Sequence, residues 1–144
     1  MRPWALLTLA AGLAGCGWIG FRKPPTDDEL RLSSEVRSHY VEVQQAFASG
    51  NAQALAALFD AGLAAPMSKP QVEAWAERFF AEHGRARLRI LSLEIDDLGL
   101  ARAVVTLKYA VETPDGKGGF AGTERDTLVR RSGRWYMAAW EKAP

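Results

Sequence analysis

The clearest chemistry in this sequence belongs to Cys16, the only cysteine among the 144 residues. A single cysteine cannot form a disulfide within the chain, so its thiol needs another explanation. The segment Leu13-Ala14-Gly15 comes directly before it, and an apolar run from Pro3 to Ala11 comes before that segment. The run is too short to span a bilayer, which takes ~20 apolar residues, and it is typical of the hydrophobic core of a signal peptide.

The segment Leu13-Ala14-Gly15-Cys16 resembles the lipobox of bacterial lipoproteins. The resemblance implies that the Cys16 thiol receives diacylglycerol, that the chain is cleaved between Gly15 and Cys16, and that the new amine is acylated, for example with palmitate. The chain would then be held in the cell envelope by these acyl chains. Position 17 is Gly rather than Asp, which favours the periplasmic side of an outer membrane, if the organism has one. An ordinary signal peptide with a chance cysteine, or an uncleaved anchor, is the alternative.

This reading divides the chain into a signal peptide (1–15), a lipidated cysteine with its tether (16–25) and one domain (26–144). Arg2 is the only charged residue of the signal peptide, so the 18 basic and 17 acidic residues of the whole chain become 17 and 17 after cleavage. Nucleic-acid binding needs a basic stripe, and neither the balance nor the pattern of charge supplies one.

Carboxylates on the predicted strands are the candidates for acid–base chemistry. Glu112 alternates with Lys108 on a face that we expect to meet solvent. Glu124 and Asp126 flank Arg125, so a solvated ladder of cross-strand charges is the plain alternative to a catalytic role. Tyr40 or Tyr109 could donate a hydrogen bond to such a carboxylate. No local motif assigns a catalytic residue, and the sequence indicates none.

The two histidines, His39 and His83, do not indicate a metal site, because the sequence offers no further ligands near either one. We expect His39 to be exposed or hydrogen-bonded. His83 falls in the last turn of the third predicted helix, where a cationic side chain suits the helix dipole. The sequence indicates no cofactor.

Helices come first in the chain and strands follow. Two capping boxes, at Thr26 and Ser68, predict the starts of a long first helix and a third helix, and Asn51 can cap a short helix between them. From Leu88 onwards the spacing of apolar residues changes from helical to alternating. A bulge is expected near Ile90 and a turn over 96–99. Short loops between successive strands predict antiparallel pairing. The fold class is therefore α+β, with helices packed on one face of a curved antiparallel sheet.

The order of these elements over residues 30–142 resembles the nuclear transport factor 2-like superfamily, a cone fold shared by SnoaL-like proteins and ketosteroid isomerase. The resemblance rests on the Phe47-Ala48-Ser49-Gly50-Asn51 break, the Leu55-Ala56-Ala57-Leu58-Phe59 helix and the closing hairpin at Ser132-Gly133-Arg134-Trp135-Tyr136. It implies an apolar cone, in which isomerases of this fold keep a carboxyl group with a shifted pKa.

Aromatic side chains are the candidates for lining a pocket between the third helix and the sheet. An ordinary filled core is the alternative. The candidate pocket residues are Tyr40, Trp75, Phe79, Tyr109 and Trp135.

Three functions remain open. The sequence favours a non-catalytic module that binds a small apolar molecule or an envelope protein. The alternatives are a structural lipoprotein that docks other proteins, with a homodimer through the sheet as one form, and an isomerase- or dehydratase-like enzyme. A buried carboxyl group with a raised pKa would favour the enzyme, and an open apolar pocket without one would favour binding. A filled core with an exposed apolar sheet face would favour docking.

Overall fold

A computed structural model describes residues 23–144, and it contains three helices followed by four strands. The predicted signal peptide, the Gly15–Cys16 cleavage site, the lipidation site and most of the tether lie outside the described residues. No helix within 23–144 is long and apolar enough to cross a membrane. The elements are α1 (Asp27–Ser49), α2 (Ala52–Ala56), α3 (Lys69–His83), β1 (Arg87–Leu98), β2 (Arg102–Glu112), β3 (Phe120–Arg131) and β4 (Arg134–Lys142).

Both predicted capping boxes begin helices. The Thr26 hydroxyl accepts a hydrogen bond from the Glu29 backbone N–H, and the Glu29 carboxylate accepts one from the Thr26 backbone N–H at 2.7 Å. Ser68 and Gln71 form the same reciprocal pair at the start of α3. Gly50 ends α1 in the left-handed region at φ 63°, which costs glycine little because it has no Cβ.

The strands form one antiparallel sheet in the order β1-β2-β3-β4. The register of β1 against β2 shifts twice, between Ile90 and Ser92 and between Ile95 and Asp97. The first shift is the predicted bulge. The predicted turn over 96–99 is wrong, because β1 continues to Leu98 and the chain reverses over 99–101. The second bulge accounts for the error: it places two aspartates, which are typical of turns, inside a strand.

The helices pack on one face of this sheet, and that face carries the core. Tyr40, Val105, Leu128 and Trp135 belong to one buried cluster, whereas Phe47, Phe79 and Leu88 belong to a second cluster between α1, α3 and the sheet. The helix-then-meander architecture confirms the predicted α+β class.

The segment after α2 runs along the free edge of β4. The Met137 N–H donates to the Leu58 carbonyl at 2.9 Å, and the Asp60 N–H donates to the Met137 carbonyl at 2.7 Å. The Asp60 carboxylate accepts hydrogen bonds from the Arg131 guanidinium and from the Gly62 N–H. These bonds fix the segment against the edge of β4.

Candidate functional site

A cavity of about 200 Å³ lies between α1, α3 and the inner face of the sheet. Seven of its sixteen lining residues are aromatic, eight are aliphatic or Met, and one is a carboxylic acid. The aromatic residues are Tyr40, Phe47, Phe59, Trp75, Tyr109, Phe120 and Trp140. The aliphatic residues and methionines are Val43, Leu55, Met67, Val72, Leu88, Leu107, Val111 and Met137. The carboxylic acid is Glu124, the only acidic or basic side chain among the described residues of the lining.

The periodicity of each element explains how these side chains meet. Tyr40, Val43 and Phe47 are three and four residues apart, so they share one face of α1. Leu107, Tyr109 and Val111 alternate along β2 and therefore point to the same side of the sheet. Phe120 and Glu124 reach that side from β3, because Val111 is paired with Phe120 and Leu107 with Glu124.

Three of the five predicted pocket residues line the cavity, and two do not. Tyr40, Trp75 and Tyr109 are in the lining. Phe79 lies behind it, with its ring stacked on Trp75 at a centroid distance of 5.1 Å. Trp135 is 3% exposed and lies in the core beneath α1, where its indole N–H donates to the Glu35 carboxylate. The predicted pocket lining is therefore wrong at Phe79 and Trp135, because both rings pack within the core instead.

Glu124 and Asp126 occupy the inner face of β3, two residues apart. Asp126 is 0% exposed, and the Tyr40 hydroxyl donates to its Oδ2 at 2.7 Å. Glu124 is half-buried, and the Tyr109 hydroxyl and Asp126 are near enough to its carboxyl group to influence its pKa. Asp126 Oδ1 has no hydrogen-bond partner in the described part of the chain. A proton shared between the two acids would supply one. We call Glu124 and Asp126 the carboxyl pair.

Burial raises the pKa of both acids in the carboxyl pair. For Asp126 burial is the largest cause and the neighbouring charge of Glu124 adds to it, while the Tyr40 hydrogen bond opposes them. Burial likewise raises the pKa of Glu124. Neither acid makes a salt bridge to any residue in 23–144. Because burial disfavours the ionised forms and neither acid has a cationic partner among these residues, ionising both is costly and the pair favours retaining a proton.

This arrangement overturns the charge-ladder interpretation for Asp126. Arg125 is exposed on the opposite face, where it is paired in register with Glu141. One signal in the sequence could have revealed the inward orientation. Leu128 is apolar and lies two residues beyond Asp126, so strand alternation gives Glu124, Asp126 and Leu128 one common face. Glu112 is exposed as expected and forms an ion pair with Arg89.

Neither histidine lines the cavity. His39 is buried, and its Nδ1 lies 3.2 Å from the Trp135 carbonyl oxygen, which assigns the proton to Nδ1 as the donor. Burial lowers the pKa of His39 to about 4, so the ring is neutral at pH 7. His83 at the end of α3 contacts the Asp115 carboxylate at 2.8 Å. Residues 23–144 contain no group of three or more side chains suited to a metal ion.

A long helix and two shorter helices, packed on one face of a curved antiparallel sheet, are the architecture of the nuclear transport factor 2-like cone fold. The sequence matches no family model and no curated protein. Solved structures supply the comparison instead, and the chain has the fold of its nuclear transport factor 2-like neighbours.

Three solved structures illustrate the likeness. A candidate scytalone dehydratase from Novosphingobium aromaticivorans has a TM-score of 0.71 at 17% identity, over 81% of this chain and 86% of that chain. A protein of unknown function from Mycobacterium tuberculosis has a TM-score of 0.70 at 16% identity, over 83% and 75%. A candidate dehydratase of the nuclear transport factor 2-like family from Streptomyces avermitilis has a TM-score of 0.61 at 13% identity, over 79% and 97%. At these identities the likeness extends to the fold alone.

Proposed function

We propose that this domain binds a small, mainly apolar molecule in the cone cavity while lipid on Cys16 anchors it in the cell envelope. The observation that carries the binding proposal is the lining: fifteen of sixteen residues are apolar or aromatic, around about 200 Å³ of space. An apolar cavity of roughly 150 Å³ is enough to stay dry and admit benzene. A single ring with a short substituent therefore suits this volume.

The polar groups of the cavity support a defined orientation for such a ligand. Glu124 and the hydroxyl-bearing residues Tyr40 and Tyr109 are all in the lining. A few convergent polar groups inside an apolar pocket are typical of small-molecule sites. A ligand with one polar substituent would direct that substituent to Glu124 and leave its ring against the aromatic wall.

Native mass spectrometry of the protein purified from its own envelope tests the binding proposal. We expect a co-purifying mass that is released on denaturation. The matched variant is Val43→Trp, which adds bulk to the cavity wall from α1, and we expect it to lose that mass while remaining folded by circular dichroism. Equal ligand content in Val43→Trp and the wild-type protein would contradict binding in this cavity.

The anchoring proposal rests on the Leu13-Ala14-Gly15-Cys16 sequence and has its own test. Metabolic labelling with an alkyne-tagged fatty acid should label the wild-type protein. Cys16→Ala should abolish the label and leave the precursor uncleaved or misprocessed, because the thiol is the group that receives the lipid. Labelling of Cys16→Ala at the wild-type level would contradict lipidation at this residue.

Proton-transfer catalysis of the isomerase or dehydratase type is a second candidate function, and the carboxyl pair favours it specifically. A buried acid with a raised pKa can accept and return a proton near neutral pH. Small cyclic ketones incubated with the protein in D₂O would test this by NMR. We expect faster exchange of the protons next to the carbonyl with the wild-type protein than with Glu124→Gln. Equal exchange in the two samples would leave binding as the function.

The outer face of the sheet gives little support to the docking alternative. Lys108, Arg125 and Glu141 are exposed there, so that face is charged rather than apolar. A purely docking lipoprotein would give an empty cavity in the mass-spectrometry experiment.

A further inference from the structure

We propose that the ligand of the cone cavity is an organic cation, an apolar ring or short chain that carries a protonated or quaternary amine. The inference rests on the proposed binding function and specifies its ligand class. Two features carry it: a carboxyl pair with no cationic partner among residues 23–144, and aromatic walls around the cavity that Glu124 lines.

Within residues 23–144, the carboxyl pair has no positively charged partner on any of the surrounding elements. Arg125 lies between the two acids in sequence but is exposed on the other face of the sheet. Lys142 on β4 is paired in register with Glu124, yet it is exposed and forms no salt bridge with it. The groups that do face the pair are the hydroxyl-bearing side chains of Tyr40 and Tyr109, which are neutral.

Other buried or half-buried carboxylates of this domain show what the carboxyl pair is missing. Asp60 has the Arg131 guanidinium, and Glu35 has the Arg130 guanidinium at 2.9 Å. Buried charges in proteins are ordinarily paired. The carboxyl pair is therefore the place in the described fold where an incoming positive charge would gain most.

The aromatic rings of the cavity have the arrangement that suits a cation. The Phe120 ring stands nearly perpendicular to both Trp75 and Tyr109, with centroid distances of 6.2 and 6.1 Å. All three rings line the same cavity as Glu124, and Phe120 is 38% exposed. Aromatic faces attract ammonium groups, most strongly when water is excluded.

A carboxyl pair that retains one proton carries a single negative charge, and one ammonium group in this cavity would balance that charge. A neutral ligand would leave the charge without a partner. An anionic ligand would add a second negative charge to a buried site and is disfavoured.

Isothermal titration calorimetry with three ligands of nearly equal size tests the inference. Full-length protein in nanodiscs of zwitterionic lipid is titrated at pH 7 with benzylamine, benzyl alcohol or benzoate, and empty nanodiscs give the background. We expect benzylamine to bind about tenfold more tightly than benzyl alcohol, and benzoate to bind most weakly.

Glu124→Gln is the test variant, because it keeps the shape of the side chain and removes its charge. We expect the ratio of benzylamine to benzyl alcohol affinity to fall to near one. Glu94→Gln is the matched control, since Glu94 is an exposed carboxylate on β1 outside the cavity lining, and it should keep the wild-type ratio. Circular dichroism confirms that each variant is folded.

The outcomes separate this inference from the proposed function. Equal binding of benzyl alcohol and benzylamine to the wild-type protein would overturn the cation inference and leave small-molecule binding intact. A preference for benzylamine that survives Glu124→Gln would also overturn it. Binding of none of the three ligands would count against both.

Discussion

Asp60 and Asp126 are both buried aspartates, at 5% and 0% exposed, but their surroundings are opposite. Asp60 accepts hydrogen bonds from Arg131 and from the Gly62 N–H, and its pKa is lowered, chiefly by the Arg131 hydrogen bonds. Asp126 has one donor, the Tyr40 hydroxyl, and burial raises its pKa. The first aspartate is arranged as a structural charge that fastens a loop. The second is held where its ionised form is costly, which is a property of functional carboxyl groups.

The largest effect on stability is expected in the filled core beneath α1, where the neighbouring carboxylate has a cationic partner. Trp135→Ala should lower the free energy of unfolding by about 3–5 kcal/mol, because it empties core space beneath α1 and removes the hydrogen bond to Glu35. Denaturant unfolding of residues 24–144 measures this, since both core clusters lie within that range. A loss under about 1 kcal/mol would mean that this region is not the filled part of the cone.

Asp60→Ala should cost about 2 kcal/mol at pH 7, which is less than for a fully enclosed ion pair, because the Arg131 side chain is 63% exposed. The folded-state pKa of Asp60 is lowered, so its contribution is present above the unfolded pKa of about 3.9 and is lost as the pH falls through the folded pKa. Unfolding experiments from pH 7 down to pH 3 should therefore show the two proteins converging. A constant difference would contradict the assigned charge.

Asp126→Asn should have the opposite dependence on pH. The raised folded-state pKa means that the stability of the wild-type protein is fully present below about pH 4 and declines as the pH rises towards the folded pKa. The asparagine does not titrate and can still accept from Tyr40. We expect the variant to be more stable than the wild-type protein by about 1 kcal/mol at pH 7, with the gap narrowing towards pH 4. A variant that is less stable at every pH would refute the unpaired-acid interpretation.

Arg125→Gln should have the smallest effect, under about 0.5 kcal/mol, because Arg125 is exposed on the outer face and lies away from the carboxyl pair. It serves as the control for Asp126→Asn in the same pH series. A shift in the pH dependence caused by Arg125→Gln would show that Arg125 influences the pair through the sheet.

Much of this fold could be predicted from the sequence, because its signals are local. The capping boxes at Thr26 and Ser68 predicted where two helices start. Alternation of apolar and polar residues predicted β2, β3 and β4. The orientation of Tyr109 followed from the same alternation. The exclusion of Phe79 and Trp135 from the cavity could not be predicted, because it depends on how deeply each ring packs against other elements. The burial of Asp126 without a cationic partner in the described part of the chain could not be predicted either, because it depends on which side chains surround β3.

The two bulges of β1 and the segment bonded to β4 have a consequence for self-association. β1 and β4 are the edges of the sheet, where unpaired backbone groups could recruit a strand from another molecule. On β4, the bonds to Leu58 and Asp60 already occupy part of the edge. On β1, the register shifts after Ile90 and Ile95 bend the strand and interrupt the regular spacing that an added strand would need. Many copies of this domain could therefore be crowded together with little tendency to extend one another's sheets into aggregates.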